Sequence, residues 1–383
     1  MKTTLGDIFE IGSGGTPSKA HPEYYGGEIP WVKTGDLKEE YLFSVEDCIT
    51  EEGLKNSSAK MYEPGTVLIA MYGATIGATS ILKFDACTNQ ACAAFKPCKD
   101  VKPEYLYYFL RSKKQKFISD GVGGAQPNIS AGYLKKVQID VRNLEEQDCI
   151  ITVLDGVNSV IQERQRELDL LDKLIKARFV EIFGDPVLNE KGWETRPFLD
   201  MGSCKNGMNF HYEDSGVELN CLGVGDFKDY SVITNTELLP TVSLNEMPSE
   251  EYLLRDDDIV FVRSNGNKAL VGRSVAVYPG NTPTTFSGFC IRYRKHDDDI
   301  TIPYLLRALK ADSIRKKMAG RGANIQNLNQ QILGTLIIPV PPLDLQKQFA
   351  NFVKQVDKSK VAVQKSLDET QKLFDSLIQE YFG

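Results

Sequence analysis

Four cationic side chains crowd one short stretch, Arg111, Lys113, Lys114 and Lys116, and about two hundred residues later the pattern returns as Arg315, Lys316 and Lys317, followed by Arg321. Each cluster precedes a polar turn, Gly123-Gly124-Ala125-Gln126-Pro127-Asn128 in the first case and Gly322-Ala323-Asn324-Ile325-Gln326-Asn327 in the second. Cations suit phosphate contact. The amides of Gln126, Asn128, Asn324, Gln326 and Asn327 suit base edges, where Asn and Gln can pair with adenine through two hydrogen bonds. A second set, Arg263, Asn265, Asn267 and Lys268, follows a predicted strand, and the first half of the chain has Met71, Tyr72 and Thr75 at that point. Different side chains at one scaffold position would give different base preferences. Lys33 belongs to a third shared run, described below. Each set also has an ordinary reading: a solvated helix face for the cations, and turn chemistry for Asn-Gly and Gly-Asn.

Other chemistries fail on their spacing. Ile11-Gly12-Ser13-Gly14-Gly15-Thr16-Pro17 has the glycines of a phosphate loop but not the Gly-Lys-Ser/Thr of a Walker A motif, and Pro17 stands where a dinucleotide fingerprint needs its third glycine. An amino-methyltransferase would carry Asn/Asp-Pro-Pro-aromatic, whereas the one Pro-Pro pair, Pro341-Pro342, is followed by Leu343. A structural turn is the expectation for the glycine run. No nucleophile with a nearby His and acid can be assembled. Eight cysteines without a C-x-x-C pair and three scattered histidines point to reduced, mostly buried thiols rather than zinc. The chain is therefore expected to hold no metal and no cofactor, and not to catalyse on its own.

A net charge of −7 and a pI near 5.3 argue against an indiscriminate nucleic-acid coat but leave room for a local cationic surface. Acid is bunched elsewhere, at Glu39-Glu40, Glu51-Glu52, 256–258 and 297–299. No apolar run reaches membrane length and no signal core opens the sequence, so a cytoplasmic location without membrane contact is expected.

What must position the candidate residues is an internal repeat. With a shift of 199, Gln147 falls on Gln346, Lys173-Leu174 on Lys372-Leu373, Glu181 on Glu380 and Phe183-Gly184 on Phe382-Gly383. Each copy reads as one long helix of about 39 residues, roughly 58 Å. Its seam is Ile150, Leu154, Val157, Ile161, Leu168, Leu171, Ile175 and Ile182 in the first copy, interrupted at Arg164 and Arg178. In the second it is Phe349, Val353, Val356, Val363, Leu367, Phe374, Leu377 and Tyr381, interrupted at Lys360 and Thr370. Steps of four and three are a coiled-coil pattern, and neither helix could bury its seam alone. Asn143 with Glu146 suits a capping box, and Gly184-Asp185-Pro186 suits a stop.

The repeat continues more weakly outside the helices. Trp31-Val32-Lys33-Thr34-Gly35-Asp36-Leu37 corresponds to Cys221-Leu222-Gly223-Val224-Gly225-Asp226-Phe227, Cys92 to Cys290, and Tyr105-Leu106 to Tyr304-Leu305. Strands are predicted at 67–71, 79–84, 91–95 and 137–141, and a helix at 103–119. The expected fold class is α/β (α+β), with two similar domains at 1–142 and 185–341 separated by antiparallel coiled-coil helices at 143–184 and 342–383. This is a pseudo-two-fold internal repeat.

The run Gly14-Gly15-Thr16-Pro17-Ser18, then Tyr24-Tyr25-Gly26-Gly27 and Ile29-Pro30-Trp31-Val32 with Gly35-Asp36-Leu37, resembles the opening of a target-recognition domain. Leu144-Glu145-Glu146-Gln147 and Pro341-Pro342-Leu343-Asp344-Leu345-Gln346 resemble the entries to that family's repeated helices. Over essentially its whole length the chain is similar to the DNA specificity subunit of type I restriction-modification enzymes. The resemblance implies that each domain reads one half of a split double-stranded DNA target while the helices set the spacing. It also implies docking of two methyltransferase subunits, which bind S-adenosylmethionine and methylate adenine N6. Motor-nuclease restriction subunits can join them, and free specificity subunits can self-associate through their helices. Gly207-Met208-Asn209-Phe210 departs from the opening motif in the second domain. A coiled-coil scaffold that binds protein rather than DNA is the competing reading.

Overall fold

The computed structural model describes residues 2–121, 128–210, 215–227, 231–319 and 327–383, with the side chains of Lys268 and Ala319 outside that description. The chain divides into two compact units, Met1–Gln165 with Lys365–Gly383, and Arg166–Gln364. Both boundaries fall inside the 40-residue helices Leu144–Phe183 and Leu343–Phe382. Each unit thus owns half of each helix.

The first unit is built on a five-stranded sheet, in the order Ile11–Ser13, Cys92–Phe95, Val67–Ala70, Thr79–Leu82, Tyr41–Leu42. Only the last pair is parallel. The central strand is Val-Leu-Ile-Ala and all four residues are buried, because the sheet is covered on both faces. Alternation decides which face each residue joins. Val67, Ile69, Ala93 and Phe95 pack with Tyr105, Leu106 and Phe109 of helix Pro103–Ser112 and with Ile150, Leu154, Phe374 and Phe382 of the long helices. Leu68, Ala70, Cys92 and Ala94 pack instead with Val32, Leu37 and Tyr62. A smaller four-stranded sheet carries Tyr25–Val32 in parallel with Ala86–Thr88.

The second unit repeats the plan. Its sheet runs Gly202–Asn206, Cys290–Lys295, Asp258–Val262, Ser274–Val277, Val232–Ile233, again parallel only at the last pair. Ile259, Phe261 and Tyr293 meet helix Ile302–Lys310 and Ile175, Phe179, Phe183, Phe349 and Val356 of the long helices. Val260, Val262 and Cys290 meet Leu222, Phe227 and Phe286.

The two helix halves in each unit run antiparallel. In the second unit the Phe183 and Phe349 rings lie 5.6 Å apart, and Lys360 Nζ is 2.9 Å from an Asp172 oxygen, so numbers fall along one helix as they rise along the other. In the first, Lys102 and Tyr108 bond to Asp148 and Asp155 while the Tyr105 and Tyr108 rings pack on Phe382 and Phe374, so the numbers again run in opposite senses. The capping box forms: Glu146 N–H donates to Asn143 Oδ1 at 2.8 Å, and Asn143 N–H to Glu146 Oε2 at 3.2 Å. Gly184 ends the helix at φ +76°, where a left-handed residue is needed and glycine costs nothing.

Two expectations need correction. The seam drifts at its end, so that Phe179 and Phe183 are buried while Ile182 is only partly so, and Phe382 is buried beside a partly buried Tyr381. A straight helix turns 3.6 residues per turn and walks away from a strict seven-residue repeat. The helix expected at 103–119 is two, Pro103–Ser112 and Lys114–Asp120, with Lys113 between them at φ −93°, ψ 2°. The turn tightens there, with Lys113 N–H donating to Leu110 O at 3.2 Å, and beyond it Phe117 is fully buried in the core.

Candidate nucleic-acid interface

In each unit the same loops are drawn together at one end of the sheet by backbone bonds. In the first, Met71 N–H donates to Ala91 O (2.8 Å), Asn89 N–H to Val32 O (2.9 Å) and Ile129 N–H to Met71 O (3.0 Å). In the second, Arg263 N–H donates to Phe289 O (2.7 Å), Ser287 N–H to Leu222 O (3.0 Å) and Leu328 N–H to Arg263 O (2.7 Å). Bridges Tyr72 to Asn128 and Ser264 to Asn327 close both assemblies. Sequence-distant candidates are therefore neighbours: Tyr72 and Asn128 in one unit, Asn265 and Asn327 in the other.

The basic helices lean on these loops. A Cβ at Gly77 (φ +78°) would lie 2.8 Å from Lys114 Cγ, and the Arg315 guanidinium donates to Ala269 O at 3.3 Å and Val271 O at 3.1 Å. Lys114, Lys116, Lys316 and Lys317 are exposed, as phosphate contacts must be. Arg111 is exposed too, but its guanidinium donates to the Tyr107 hydroxyl (2.9 Å) and lies over the Tyr107 and Phe374 rings. Lys113 donates to the Phe382 carbonyl at the carboxyl end of the long helix, where a cation is favoured by the helix dipole. Burial, with the neighbouring Lys116, holds its pKa below the usual lysine value. Arg315 is likewise pushed down by burial.

The remaining candidates divide. Tyr72 is 39% exposed, and Thr75 donates back to the Tyr72 carbonyl at 3.3 Å. Lys33 pairs with Asp47 at 2.5 Å and sits over Trp31. Arg263 donates to Gly288 O at 3.3 Å. Asn265 Oδ1 accepts from Asn267 N–H (2.8 Å), and Asn267 Oδ1 from Ala269 N–H (3.0 Å), so both amides are oriented by their own turn. Gln126, Arg321, Asn324 and Gln326 lie outside the described residues, as does the side chain of Lys268.

Two loop residues escaped the sequence reading. Phe289 is 61% exposed and lines a cleft of about 500 Å³ with Val224, Ser264, Asn265, Gly266 and Asn327. Its counterpart in the first unit is Ala91, whose carbonyl accepts from Met71 N–H as that of Phe289 does from Arg263 N–H, and the exposed Gln90 beside it, bonded to Thr16, stands where the second unit has Gly288. The different residues on these two matching turns were signalled only by weak alignment around Cys92 and Cys290.

The glycine run is structural, as expected. A Cβ on Gly14 would lie 1.8 Å from Thr88 O, Gly15 N–H donates to that oxygen (2.9 Å), and Trp31 Nε1 donates to Gly15 O (3.0 Å). Gly207 repeats the role, since a Cβ there would lie 2.1 Å from Ser287 O while Met208 N–H donates to Phe286 O (3.1 Å). The unlike motifs Gly-Gly-Thr-Pro and Gly-Met-Asn-Phe thus solve one packing problem. Among the described residues no group of three His, Cys, Asp or Glu side chains could hold a metal, and no helix is long and apolar enough to cross a membrane.

Comparison with known proteins places the chain. The profile described as type I restriction modification DNA specificity domain matches residues 1–170 and again 190–370. The chain is 26% identical to the MjaIX specificity subunit of Methanocaldococcus jannaschii, over 97% of this chain and 90% of that one. It is 23% identical to the StySPI specificity subunit of Salmonella potsdam, over 92% and 80%. Among solved structures, the S subunit of a type I restriction-modification system from M. genitalium matches at 16% identity with a TM-score of 0.53, covering 100% of this chain and 96% of that one. A structure concerned with complex assembly of the type I R-M system matches at 17% with a TM-score of 0.60, covering 100% and 97%.

Proposed function

The chain belongs to the type I restriction-modification DNA specificity family, and on that premise we propose that it is the non-catalytic reader that directs modification and restriction subunits to a split DNA target. One observation carries the reading. Both units hold the same loops on the same frame but arm them differently, with Tyr72, Thr75 and Gln90 in the first and Asn265, Asn267 and Phe289 in the second. Two frames with unlike tips suit two unlike half-sites, just as half-site spacing in dimeric DNA readers mirrors the spacing of their recognition elements.

Lys114, Lys116, Lys316 and Lys317 supply phosphate contacts beside the loops, and the paired helices set the unread spacer. Two methyltransferase subunits dock on exposed helix positions such as Gln162, Arg166 and Asp169 with Val361, Lys365 and Asp368. Those partners bring S-adenosylmethionine and methylate adenine N6; this chain contributes no cofactor. Restriction subunits complete the assembly, and without partners the chain self-associates through its helices. The reading is of a cytoplasmic protein.

The test is co-expression with the methyltransferase subunit, followed by mapping of N6-methyladenine in host DNA. The expected result is a split motif, one half of which changes when one unit's loops are exchanged. No methylation with an active, bound partner would favour the coiled-coil scaffold instead.

A further inference from the structure

An exposed phenylalanine usually means little, since lone apolar residues are common on protein surfaces. Phe289 differs in how firmly it is presented. In its turn, Ser287 N–H donates to Leu222 O, Gly288 N–H to Met208 O (2.6 Å), Phe289 N–H to Ser287 Oγ (3.2 Å) and Cys290 N–H to Ser287 O (2.8 Å). Phe289 O accepts from Arg263 N–H, and Gly288 O from the Arg263 guanidinium. The backbone is fixed and the ring stays 61% exposed.

The ring shares its cleft with Asn265. The Asn267 N–H pins the Asn265 oxygen, so the NH2 group is what this side chain offers outward. An apolar face beside one amide donor needs a ligand with an apolar group beside one acceptor. In the major groove thymine alone presents this pair, the 5-methyl next to O4; cytosine offers a donor, and guanine two acceptors with no methyl.

We propose that this cleft reads a thymine in the second half-site, with Phe289 on the 5-methyl group and the Asn265 NH2 donating to O4. The inference rests on the DNA-reading function above and assigns one base to one unit. The first unit, with the short Ala91 at the matching position, lacks the ring and reads its half-site without this contact.

The test uses the full chain assembled with its methyltransferase subunits, on duplexes carrying the mapped target. Each thymine of the second half-site is replaced in turn by deoxyuridine, which removes only the methyl. At one position affinity falls roughly threefold to tenfold, the scale of one buried methyl contact, and in F289A that difference between thymine and uracil disappears. N265A loses affinity on both substrates while keeping the methyl effect. F289L, which keeps apolar surface, retains part of the discrimination. A half-site with no methyl effect, or F289A weakening thymine and uracil duplexes equally, overturns the proposal, the latter marking Phe289 as a wedge between base steps. Loss of all specific binding by the wild-type complex would instead overturn the DNA-reading function itself.

Discussion

Gln147 and Gln346, 199 residues apart, make the same three hydrogen bonds to corresponding backbone atoms. Gln147 accepts from Lys102 N–H (2.9 Å) and donates to Asp100 O (2.8 Å) and Arg142 O (2.9 Å). Gln346 accepts from Thr301 N–H (2.8 Å) and donates to Asp299 O (2.9 Å) and Pro341 O (2.8 Å). Both are wholly buried, and each joins the start of a core helix to the chain entering a long one. Substituting Gln147→Leu leaves one donor and two acceptors of the backbone buried without partners, so about 3 kcal/mol of stability should be lost. Gln346→Leu should cost a similar amount. Denaturant unfolding measures both, and hydrogen exchange should localise each loss to its own unit.

A second prediction concerns Asp258, which is fully buried at the start of the second central strand. Arg294 grips it with Nε at 2.8 Å and a second nitrogen at 2.7 Å, and Arg255 N–H adds a third bond at 2.7 Å. Asp258→Asn should destabilise the second unit by about 3 kcal/mol, because the partly buried Arg294 loses its fully buried counter-charge. Adding Arg294→Met should recover part of the loss, as read by denaturant unfolding of the single and double variants.

The second unit should also carry a pH dependence from Lys310, whose ammonium donates to Ser231 Oγ at 2.8 Å. Burial, reinforced by Arg307, Lys360 and Arg273 against the opposing pull of Asp172, lowers its pKa to about 7. An unfolded lysine stays protonated to about pH 10.4. Between these values the unfolded chain binds the extra proton, so stability should rise as pH climbs through 7. The clean window ends near about pH 8.5, where thiols of the unfolded chain begin to ionise, while burial keeps Cys204, Cys221 and Cys290 protonated in the fold. Lys310→Met should flatten the slope between pH 7 and that limit in pH-resolved unfolding.

For DNA binding, Lys114→Ala with Lys116→Ala should weaken affinity across sequences and reduce the salt slope by about 2. A titration against salt with two unrelated duplexes measures it. An unchanged slope would make the lysines a solvated helix face.

Removing one heptad from each long helix shortens the pair by about 10.5 Å, equivalent to roughly three base pairs of spacer. The methylation map should then show both half-sites intact with their separation reduced by that amount.

Much of the scaffold was readable from residues alone because it repeats. Gln147 and Gln346, the helix entries, and strands at 67–71 and 91–95 follow directly from register and apolar runs. The break at Lys113 was not readable, since its residues favour helix and the turn is fixed by tertiary packing around Phe117. Arg315 reads in sequence as a free cation, yet its guanidinium is spent on two carbonyls of the neighbouring loop. Gly207 hid its kinship to Gly14 because the shared requirement is space against a carbonyl, which constrains one glycine and leaves its neighbours free. Phe289 was missed for a related reason. Nothing in Ser-Gly-Phe says that the turn is rigid or which loops surround it.

The division of the chain bears on the order in which the protein is made. The second unit is one continuous stretch, Arg166–Gln364, whereas the first needs Lys365–Gly383, including Phe374 and Phe382, to fill its core. A ribosome adds about 5–20 residues per second, so the unit begun first waits roughly 10–40 s for those side chains. Vectorial synthesis therefore delivers the last residue of the second unit before that of the first. Through that interval Tyr105 and Phe109 lack the Phe382 ring that both meet edge-on in the finished unit.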